Sequence, residues 1–194
     1  MNSKWSKRLL SLGVVVLGIL ADFFTKLIAV SHLRGEDPVP LIRGILRFSY
    51  VENPGAAWGM LANHRWVFMV FSALAIALIA VYLIRRDPPL LLCVSLSLIL
   101  SGGIGNMIDR TFRGSVVDFI EFYLFEFPVF NVADCLVVIG SGLLIVWLIA
   151  DTVREKKKGK PSEDAGGEAE ETDAAREPTT EKQSAKSADE GDEK

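Results

Sequence analysis

Two carboxylates stand in apolar stretches of this sequence, where an ionised side chain is costly. Asp118 lies in "GSVVDFIEF", among valine, phenylalanine and isoleucine, and Asp134 lies in "FNVADCLVVIG", at the start of an apolar run that reaches Ala150. Removing a carboxylate from water raises its pKa, because the charged form loses its solvation. The neighbours of Asp118 therefore predict a raised pKa, and both residues are candidates for proton transfer.

Two such carboxylates can act together as an acid/base pair. If Asp118 and Asp134 approach within about 4 Å, repulsion between their ionised forms is on the order of 4 kcal/mol at an effective dielectric of about 20. That repulsion corresponds to roughly three pKa units, so one carboxyl group would stay protonated near neutral pH while the other acts as a base. The pair predicts the two-carboxylate chemistry of aspartic proteases.

The polar residues around this pair also have structural interpretations. Asn131, three residues before Asp134, is typical of a helix start, with Asn as the N-cap and an acid favoured by the helix dipole. Asp109 and Arg110 could form an ion pair at a membrane interface. Sequence alone leaves both interpretations open beside the catalytic one.

Two further groups favour structural roles. Asp22 and Lys26 are four residues apart, so they share one helix face and can neutralise each other. Gly102, Gly103 and Gly105 allow a helix to pack closely against a neighbour in a membrane. A phosphate cradle is disfavoured for these glycines, because no P-loop lysine follows them.

Four apolar segments determine the predicted fold class. They cover residues 9–30, 66–84, 88–108 and 127–150 of a 194-residue chain that is 50% hydrophobic. A helix rises about 1.5 Å per residue, so about 20 residues cross a hydrocarbon core about 30 Å thick. We therefore predict a mainly α membrane protein with four transmembrane helices, and a four-helix domain over residues 1–150.

Basic residues near the ends of these segments predict the orientation. Three clusters fall on one side of a four-span protein, and that side should be the cytoplasm. The clusters are Lys4, Lys7 and Arg8; Arg85 and Arg86; and Arg154, Lys156, Lys157, Lys158 and Lys160. Both termini are thus expected in the cytoplasm, and residues 31–65 and 109–126 form the outer loops.

The polar candidates then gather at the outer face of the membrane. Asp22 follows Leu9 by about 20 Å of helix, which puts it in the outer half of the first span. Ionisable residues at such depth are candidates for function. The first outer loop contains β-forming residues around 48–51, followed by a turn at Asn53, and predicts a small β-sheet at the membrane surface.

Residues 151–194 differ in composition from the rest of the chain. They hold 9 Lys/Arg and 14 Asp/Glu, a net charge of −5. From Pro161 onward they contain no aromatic or β-branched aliphatic residue, so they cannot bury enough apolar area to offset the entropy of ordering. We predict a disordered, charged cytoplasmic tail.

Five sequence blocks resemble one enzyme family. They are "DFFTK" (22–26), "NPGAAWG" (53–59), "GGIGNMIDR" (102–110), "VVDF" (116–119) and "FNVAD" (130–134). In this order they resemble the signature blocks of lipoprotein signal peptidase, the type II signal peptidase of bacteria. The resemblance covers about residues 9–150. Trp58 stands where phenylalanine is more usual in the family, which is a conservative difference.

The resemblance implies a membrane aspartic endopeptidase that removes the signal peptide of diacylglyceryl-modified prolipoproteins, before the lipidated Cys. It makes Asp118 and Asp134 the catalytic pair. It assigns Asn53, Asn106, Arg110 and Asn131 to the lining of the substrate site, and Asp22, Lys26 and Asp109 to a polar scaffold. It implies no metal and no organic cofactor.

The resemblance also implies the surroundings of the enzyme. The expected location is the bacterial cytoplasmic (inner) membrane, with the active site at the extracytoplasmic face. The expected partners are prolipoproteins, membrane lipids and the cyclic peptide inhibitor globomycin, with no nucleic acid, and the expected state is a monomer.

The alternative from the residues alone is a non-enzymatic four-span transporter or scaffold protein whose carboxylates relay protons. A transporter would place its acids near the bilayer midplane. Here they cluster at one interface, which favours the peptidase.

Overall fold

The computed structural model describes residues 3–55 and 65–158, which form four helices and three strands. Their order is α1 (Ser3–His32), β1 (Val39–Ile42), β2 (Leu46–Asn53), α2 (Arg65–Arg85), α3 (Leu90–Phe112), β3 (Val116–Phe122) and α4 (Val132–Lys158). Residues 56–64, which include Trp58, and residues 159–194 lie outside this description.

Most of the described chain is helical and apolar. By length and composition, α1, α3 and α4 can each cross a membrane, and α2 contains a shorter apolar helix, Met69–Arg85. The prediction of a mainly α protein is therefore confirmed, with three to four helices suited to a membrane. α4 continues beyond Ala150 to Lys158, so the first residues of the predicted tail are helical. The rest of that tail falls outside the described residues.

The distribution of side chains is inverted relative to a protein in water. Leu17, Phe71 and Val138 on three different helices keep 67–70% of their surface exposed, whereas Asp22 and Lys26 are 1% and 2% exposed. An apolar exterior costs nothing in lipid, while polar groups must find partners inside the bundle. The helices therefore turn their polar faces toward one another.

α3 lies at the centre of the bundle, packed against α1, α2 and α4. Small residues bring the backbones close. A Cβ on Gly102 would collide with the carbonyl oxygen of Ala133 on α4, and a Cβ on Gly140 would lie 2.8 Å from the carbonyl oxygen of Ser95. Close packing of this kind is how membrane helices associate without a hydrophobic driving force.

A three-stranded antiparallel sheet, in the order β1-β2-β3, covers one end of the bundle. The β1–β2 hairpin turns through Gly44, whose φ of 82° favours glycine. Val117 and Phe119 of β3 are buried against Ala29 near the end of α1. This contact fixes the sheet to the helices.

The sheet extends beyond the segment predicted for it. Residues 31–65 supply β1 and β2, but β3 comes from the second predicted outer loop and pairs Ile120 with Phe48. The sequence signal for β3 is weak because its first four residues, 116–119, are all buried, so polar and apolar residues do not alternate.

α4 begins later than the apolar segment that predicted it. That segment starts at residue 127, whereas the helix starts at Val132. Phe130 instead forms a β-bridge with Ile120, with N–H···O distances of 3.0 and 2.8 Å. The backbone before α4 is therefore held by β3, which brings residues 118 and 134 to the same end of the molecule.

Candidate active site

Asp118 lies on β3, opposite Val51 of β2, and it is only 2% exposed. Its carboxylate accepts two amide hydrogen bonds. Asn53 Nδ2 donates to Oδ2 over 3.0 Å, and Asn131 Nδ2 donates to Oδ1 over 2.6 Å. Asn53 is oriented in turn by its own Oδ1, which accepts the backbone N–H of Gly55 over 3.0 Å. The carboxylate is thus fixed at both oxygens.

Burial raises the pKa of Asp118 from 3.8 to about 6. The hydrogen bond from Asn53 opposes this rise, and the negative charge of Asp134 adds to it. The sequence predicted the direction correctly. It indicated two causes, the apolar neighbours of Asp118 and repulsion by Asp134, and removal of the Asp118 carboxylate from water is the larger cause in the structure.

Asp134 lies in the first turn of α4 and forms a reciprocal cap with Asn131. The N–H of Asn131 donates to Asp134 Oδ2 over 3.1 Å, and the N–H of Asp134 donates to Asn131 Oδ1 over 3.0 Å. This is the capping-box arrangement, which satisfies two free N–H groups at a helix start. The helix-start interpretation of this motif is confirmed, and the same residues carry the second carboxylate toward Asp118.

Asn106 of α3 connects the parts of this network. Its Oδ1 accepts from Lys26 Nζ over 3.0 Å and from Asn131 Nδ2 over 3.1 Å. With its oxygen occupied by two donors, its Nδ2 is directed at Asp134 Oδ1, 2.8 Å away. Asn131 therefore contacts both aspartates, and Asn106 holds Asp134 and Asn131 together.

Arg110 adds a positive charge one helical turn beyond Asn106. Its Nη1 donates to the carbonyl oxygen of Asn106 over 3.4 Å, and its Nη2 donates to that of Gly55 over 3.3 Å. The guanidinium thus joins α3 to the turn that follows β2, beside the two carboxylates. The adjacent Asp109 does not pair with it, because Asp109 bonds to Lys26 and Arg113.

This arrangement suits hydrolysis. It combines two carboxylates in different environments, bridged by the side-chain and backbone N–H groups of Asn131, with two further amide side chains that orient them and an arginine beside them. Comparison with known proteins gives the same indication. A family model described as signal peptidase (SPase) II matches residues 14–150.

The chain belongs to the signal peptidase II family.

Individual relatives agree with this assignment. A lipoprotein signal peptidase of Clostridium tetani is 42% identical over 149 residues, which cover 75% of this chain and 96% of the relative. A lipoprotein signal peptidase of Symbiobacterium thermophilum is 42% identical over 146 residues, covering 73% and 95%. A solved bacterial membrane enzyme matches with a TM-score of 0.70 at 32% identity, covering 79% of this chain and 94% of its own.

Membership of this family makes the chain a membrane protein and a peptidase. The non-enzymatic transporter or scaffold is therefore set aside. The resemblance drawn from five short sequence blocks is confirmed over most of the region it was expected to cover.

The structure brings the nine predicted site residues of the peptidase into one connected network. Asp118, Asp134, Asn53, Asn106 and Asn131 form its centre. Arg110 lies at the edge of this centre, where it donates a hydrogen bond to the carbonyl oxygen of Gly55.

The predicted scaffold residues lie directly behind this centre. Lys26 Nζ is 2.8 Å from Asp22 Oδ2 and 2.9 Å from Asp109 Oδ2. The pairing of Asp22 with Lys26 is confirmed. The ion pair of Asp109 with Arg110, which the sequence left open, is not formed, because Asp109 pairs with Lys26 across the α1–α3 contact.

Sequence reasoning missed the part that backbone groups play in this network. Asp22 Oδ1 accepts the N–H of Ala133 over 2.9 Å, and Asp109 Oδ2 accepts the N–H of Val117 over 3.4 Å. Gly105 makes room for the first of these contacts, because a Cβ there would lie 2.5 Å from Asp22 Oδ2. The small residues of the "GGIG" segment were the available signal, but a sequence does not show which backbone they approach.

Proposed function

We propose that this peptidase removes the signal peptide from diacylglyceryl-modified prolipoproteins, cutting the bond before the lipidated Cys. The observation that carries the proposal is the Asp118–Asp134 pair, in which Asp118 is buried and Asp134 half-buried, bridged by Asn131 in a chain of the signal peptidase II family. Relatives that match most of this chain are named lipoprotein signal peptidases, which supports prolipoproteins as substrates.

The two carboxylates differ in a way that suits an acid and a base. Asp134 accepts N–H groups at both oxygens in the first turn of α4, and it is less buried than Asp118. Asp118 is buried and has a raised pKa of about 6, which favours a proton. In this proposal Asp134 is the general base and Asp118 is the general acid.

The reaction then needs only water and these two groups. Asp134 takes a proton from water while the water oxygen bonds to the scissile carbonyl carbon, and Asp118 gives its proton to the carbonyl oxygen. The resulting tetrahedral diol collapses as the C–N bond breaks. Asp134 passes its proton to the leaving nitrogen, and one hydroxyl proton of the diol returns to Asp118. Both carboxyl groups end in their starting states.

The neighbouring side chains supply orientation. Asn53 and Asn131 hold the two oxygens of Asp118, and Asn106 directs Asp134. Arg110 holds the turn at Gly55 beside the pair, where an extended substrate can lie. These roles for the four residues belong to the proposal.

We place the active site at the extracytoplasmic face of the bacterial cytoplasmic membrane, in a chain with four spans and both termini in the cytoplasm. Two contacts support this orientation. Lys7 Nζ lies 2.9 Å from Asp87 Oδ1, and Arg8 Nη2 donates to the carbonyl oxygen of Ile84 over 2.9 Å. Basic residues near the start of α1 thus contact the end of α2 and the turn that follows it, at the bundle end away from the aspartates.

The proposal includes the remaining partners expected from the family. The exposed apolar helix surfaces face membrane lipids, and the site that takes the substrate also takes globomycin. The active unit is a monomer, since the nine site residues come from one chain. The catalytic domain is the four-helix region, and the charged tail after α4 is dispensable for cleavage.

The direct test is incubation of the purified full chain, in detergent micelles, with a synthetic prolipoprotein peptide carrying diacylglyceryl on its Cys. We expect two products by mass spectrometry, a free signal peptide and a lipopeptide that begins with the modified Cys. An identical peptide without the lipid should be cut poorly. Cleavage at another bond, or equal cleavage of both peptides, would contradict the proposed specificity, and no cleavage would contradict the function.

A further inference from the structure

A single buried ammonium group lies behind the two aspartates. Lys26 Nζ has three acceptors, Asp22 Oδ2 at 2.8 Å, Asp109 Oδ2 at 2.9 Å and Asn106 Oδ1 at 3.0 Å. An ammonium group carries three hydrogens, so each can be donated to one of them. Asp22 and Lys26 are almost fully buried, and Asp109 is 5% exposed. The three ionised side chains together carry a net charge of −1.

The two carboxylates of this group each continue to a backbone N–H. Asp22 Oδ1 accepts from Ala133, the residue before Asp134, over 2.9 Å. Asp109 Oδ2 accepts from Val117, the residue before Asp118, over 3.4 Å. Each catalytic aspartate is therefore preceded in the chain by a residue whose backbone is bonded to a partner of Lys26.

The third acceptor, Asn106, connects Lys26 to Asp134 through side chains alone. Asn106 holds Lys26 with its oxygen and Asp134 Oδ1 with its nitrogen. Three paths of two hydrogen bonds each thus start at one nitrogen atom. One ends at the Asp134 carboxylate, and the other two end at the backbone N–H groups of the residues that precede Asp134 and Asp118. Local packing makes this possible, since Gly105 has no side chain where the carboxylate of Asp22 lies.

We propose that Lys26 is a positioning residue that sets the separation and orientation of the Asp118 and Asp134 carboxyl groups. The inference rests on the proposed function, because it takes these two groups as the reacting pair. It concerns the position of two separate elements, β3 and α4, relative to each other. Asp118 belongs to a strand of the sheet and Asp134 to a helix of the bundle, and the Lys26 group bonds to the backbone of both.

A change in this geometry should act on the chemical step more than on substrate binding. Misplacing reacting groups by about 1 Å can cost about a hundredfold in rate. Substrate affinity should be much less sensitive, because Lys26 is buried and does not itself reach the substrate. The expected signature is therefore a lower kcat with little change in KM.

Charge is the competing explanation, because the cation also favours ionisation of the nearby carboxylates. Two variants separate charge from position. Lys26→Met changes the net charge of the group from −1 to −2. The isosteric triple variant Asp22→Asn, Lys26→Met and Asp109→Asn changes it from −1 to 0, and it keeps an oxygen at positions 22 and 109 for the backbone N–H groups. The charge changes have opposite signs, whereas both variants lose the ammonium.

Lys7→Met is the matched control. Lys7 lies on the same helix and also pairs with an aspartate, Asp87, but the pair lies at the opposite end of the bundle. All four proteins are purified in detergent. Their melting temperatures are measured, and kcat and KM for the diacylated peptide are calculated per folded molecule.

We expect Lys26→Met and the triple variant each to lower kcat by about 10- to 100-fold with KM changed by less than about threefold, and Lys7→Met to keep both constants. The triple variant contains no uncompensated buried charge, so it should accumulate even if Lys26→Met does not. A kcat near that of the wild type in a folded variant would overturn the proposal.

Two other results would also overturn it. Opposite changes of kcat in the two variants would show that charge, and not position, is what Lys26 supplies. Failure of both variants to accumulate would assign Lys26 to folding. If the wild-type protein cleaves the peptide in these cases, only the positioning role of Lys26 is lost. If the wild type does not cleave it, the proposed function falls as well.

Discussion

Asp118 and Asp134 have similar partners and different environments. Each accepts N–H groups at both oxygens, but Asp134 does so at a helix N-terminus, whereas Asp118 lies between buried residues of a strand. Burial opposes the negative charge of Asp118 and raises its pKa. This difference is the basis for assigning the proton to Asp118.

Replacing either aspartate by asparagine should nearly abolish cleavage. Asparagine keeps the size of the side chain but cannot exchange a proton with water or substrate, so we expect a loss of kcat of about a hundredfold or more. The double variant should be little worse than either single one, because the residues act as a unit. Glu121→Gln is the control, since Glu121 lies on the same strand but pairs with Arg47. More than a tenth of wild-type turnover in either aspartate variant would refute the pairing.

The raised pKa of Asp118 also predicts how stability depends on pH. Its pKa is about 6 in the folded protein against 3.8 as the ordinary value. The favourable contribution is therefore complete below about pH 3.8 and is lost as the pH rises through 6, by up to about 3 kcal/mol. Thermal unfolding in detergent should show a smaller decrease in melting temperature between pH 4 and pH 7.5 for Asp118→Asn than for the wild type.

Glu121 provides a control of opposite sign for this measurement. The hydrogen bond from Arg47 lowers the pKa of Glu121, so its contribution is present above its ordinary pKa and is lost as the pH falls. Glu121→Gln should therefore make the decrease toward pH 7.5 steeper. Equal pH dependence in all three proteins would show that neither carboxylate contributes as described.

At the scale of elements, the contact between α3 and α4 determines where Asp134 lies. A Cβ on Gly102 would collide with the carbonyl oxygen of Ala133 and would lie 2.8 Å from Val137 Cγ2, so the first turn of α4 rests on the backbone of α3. The neighbouring Gly103 faces Ile76 of α2, where a Cβ would have an ordinary contact of 3.4 Å.

These adjacent glycines should respond differently to alanine. Gly102→Ala must push α4 away from α3, because the obstacle is backbone, and we expect a loss of about 1–3 kcal/mol in stability together with reduced kcat. Gly103→Ala should be neutral or slightly stabilising, because alanine favours helices by up to about 1 kcal/mol. The melting temperature and turnover of both variants test this expectation. Equal effects of the two substitutions would contradict the packing described for Gly102 and Gly103.

The elements show which features could be predicted from sequence. The helices are evident because their apolar segments are long, and the start of α4 is marked by Asn131 and Asp134 at capping-box spacing. β3 was not predicted, because a strand buried on both faces has no alternation. The partner of Asp109 was not predicted either. It lies on α1, more than 80 residues away in sequence, and adjacency in sequence favoured Arg110 instead.

At the scale of the whole molecule, Lys7 and Arg8 near the start of α1 lie at the opposite end of the bundle from Asp118 and Asp134. This separation predicts the result of cysteine labelling in intact cells. In a variant without Cys93 and Cys135, a cysteine at position 36 should react with a membrane-impermeant reagent, and a cysteine at position 160 should react only after the cells are opened. Labelling of position 160 in intact cells would overturn the proposed orientation.

The contacts of Asn131 also bear on the order of events while the protein is synthesised. Until Asn131 and α4 emerge from the ribosome, Asp118 lacks one of its two amide donors, Phe130 cannot pair with β3, and the second carboxylate does not exist. The earlier spans can enter the membrane in the meantime. Catalytic competence would thus arise only with the last helix, so a partly synthesised chain would have no means of cutting the signal peptides that pass beside it during translocation.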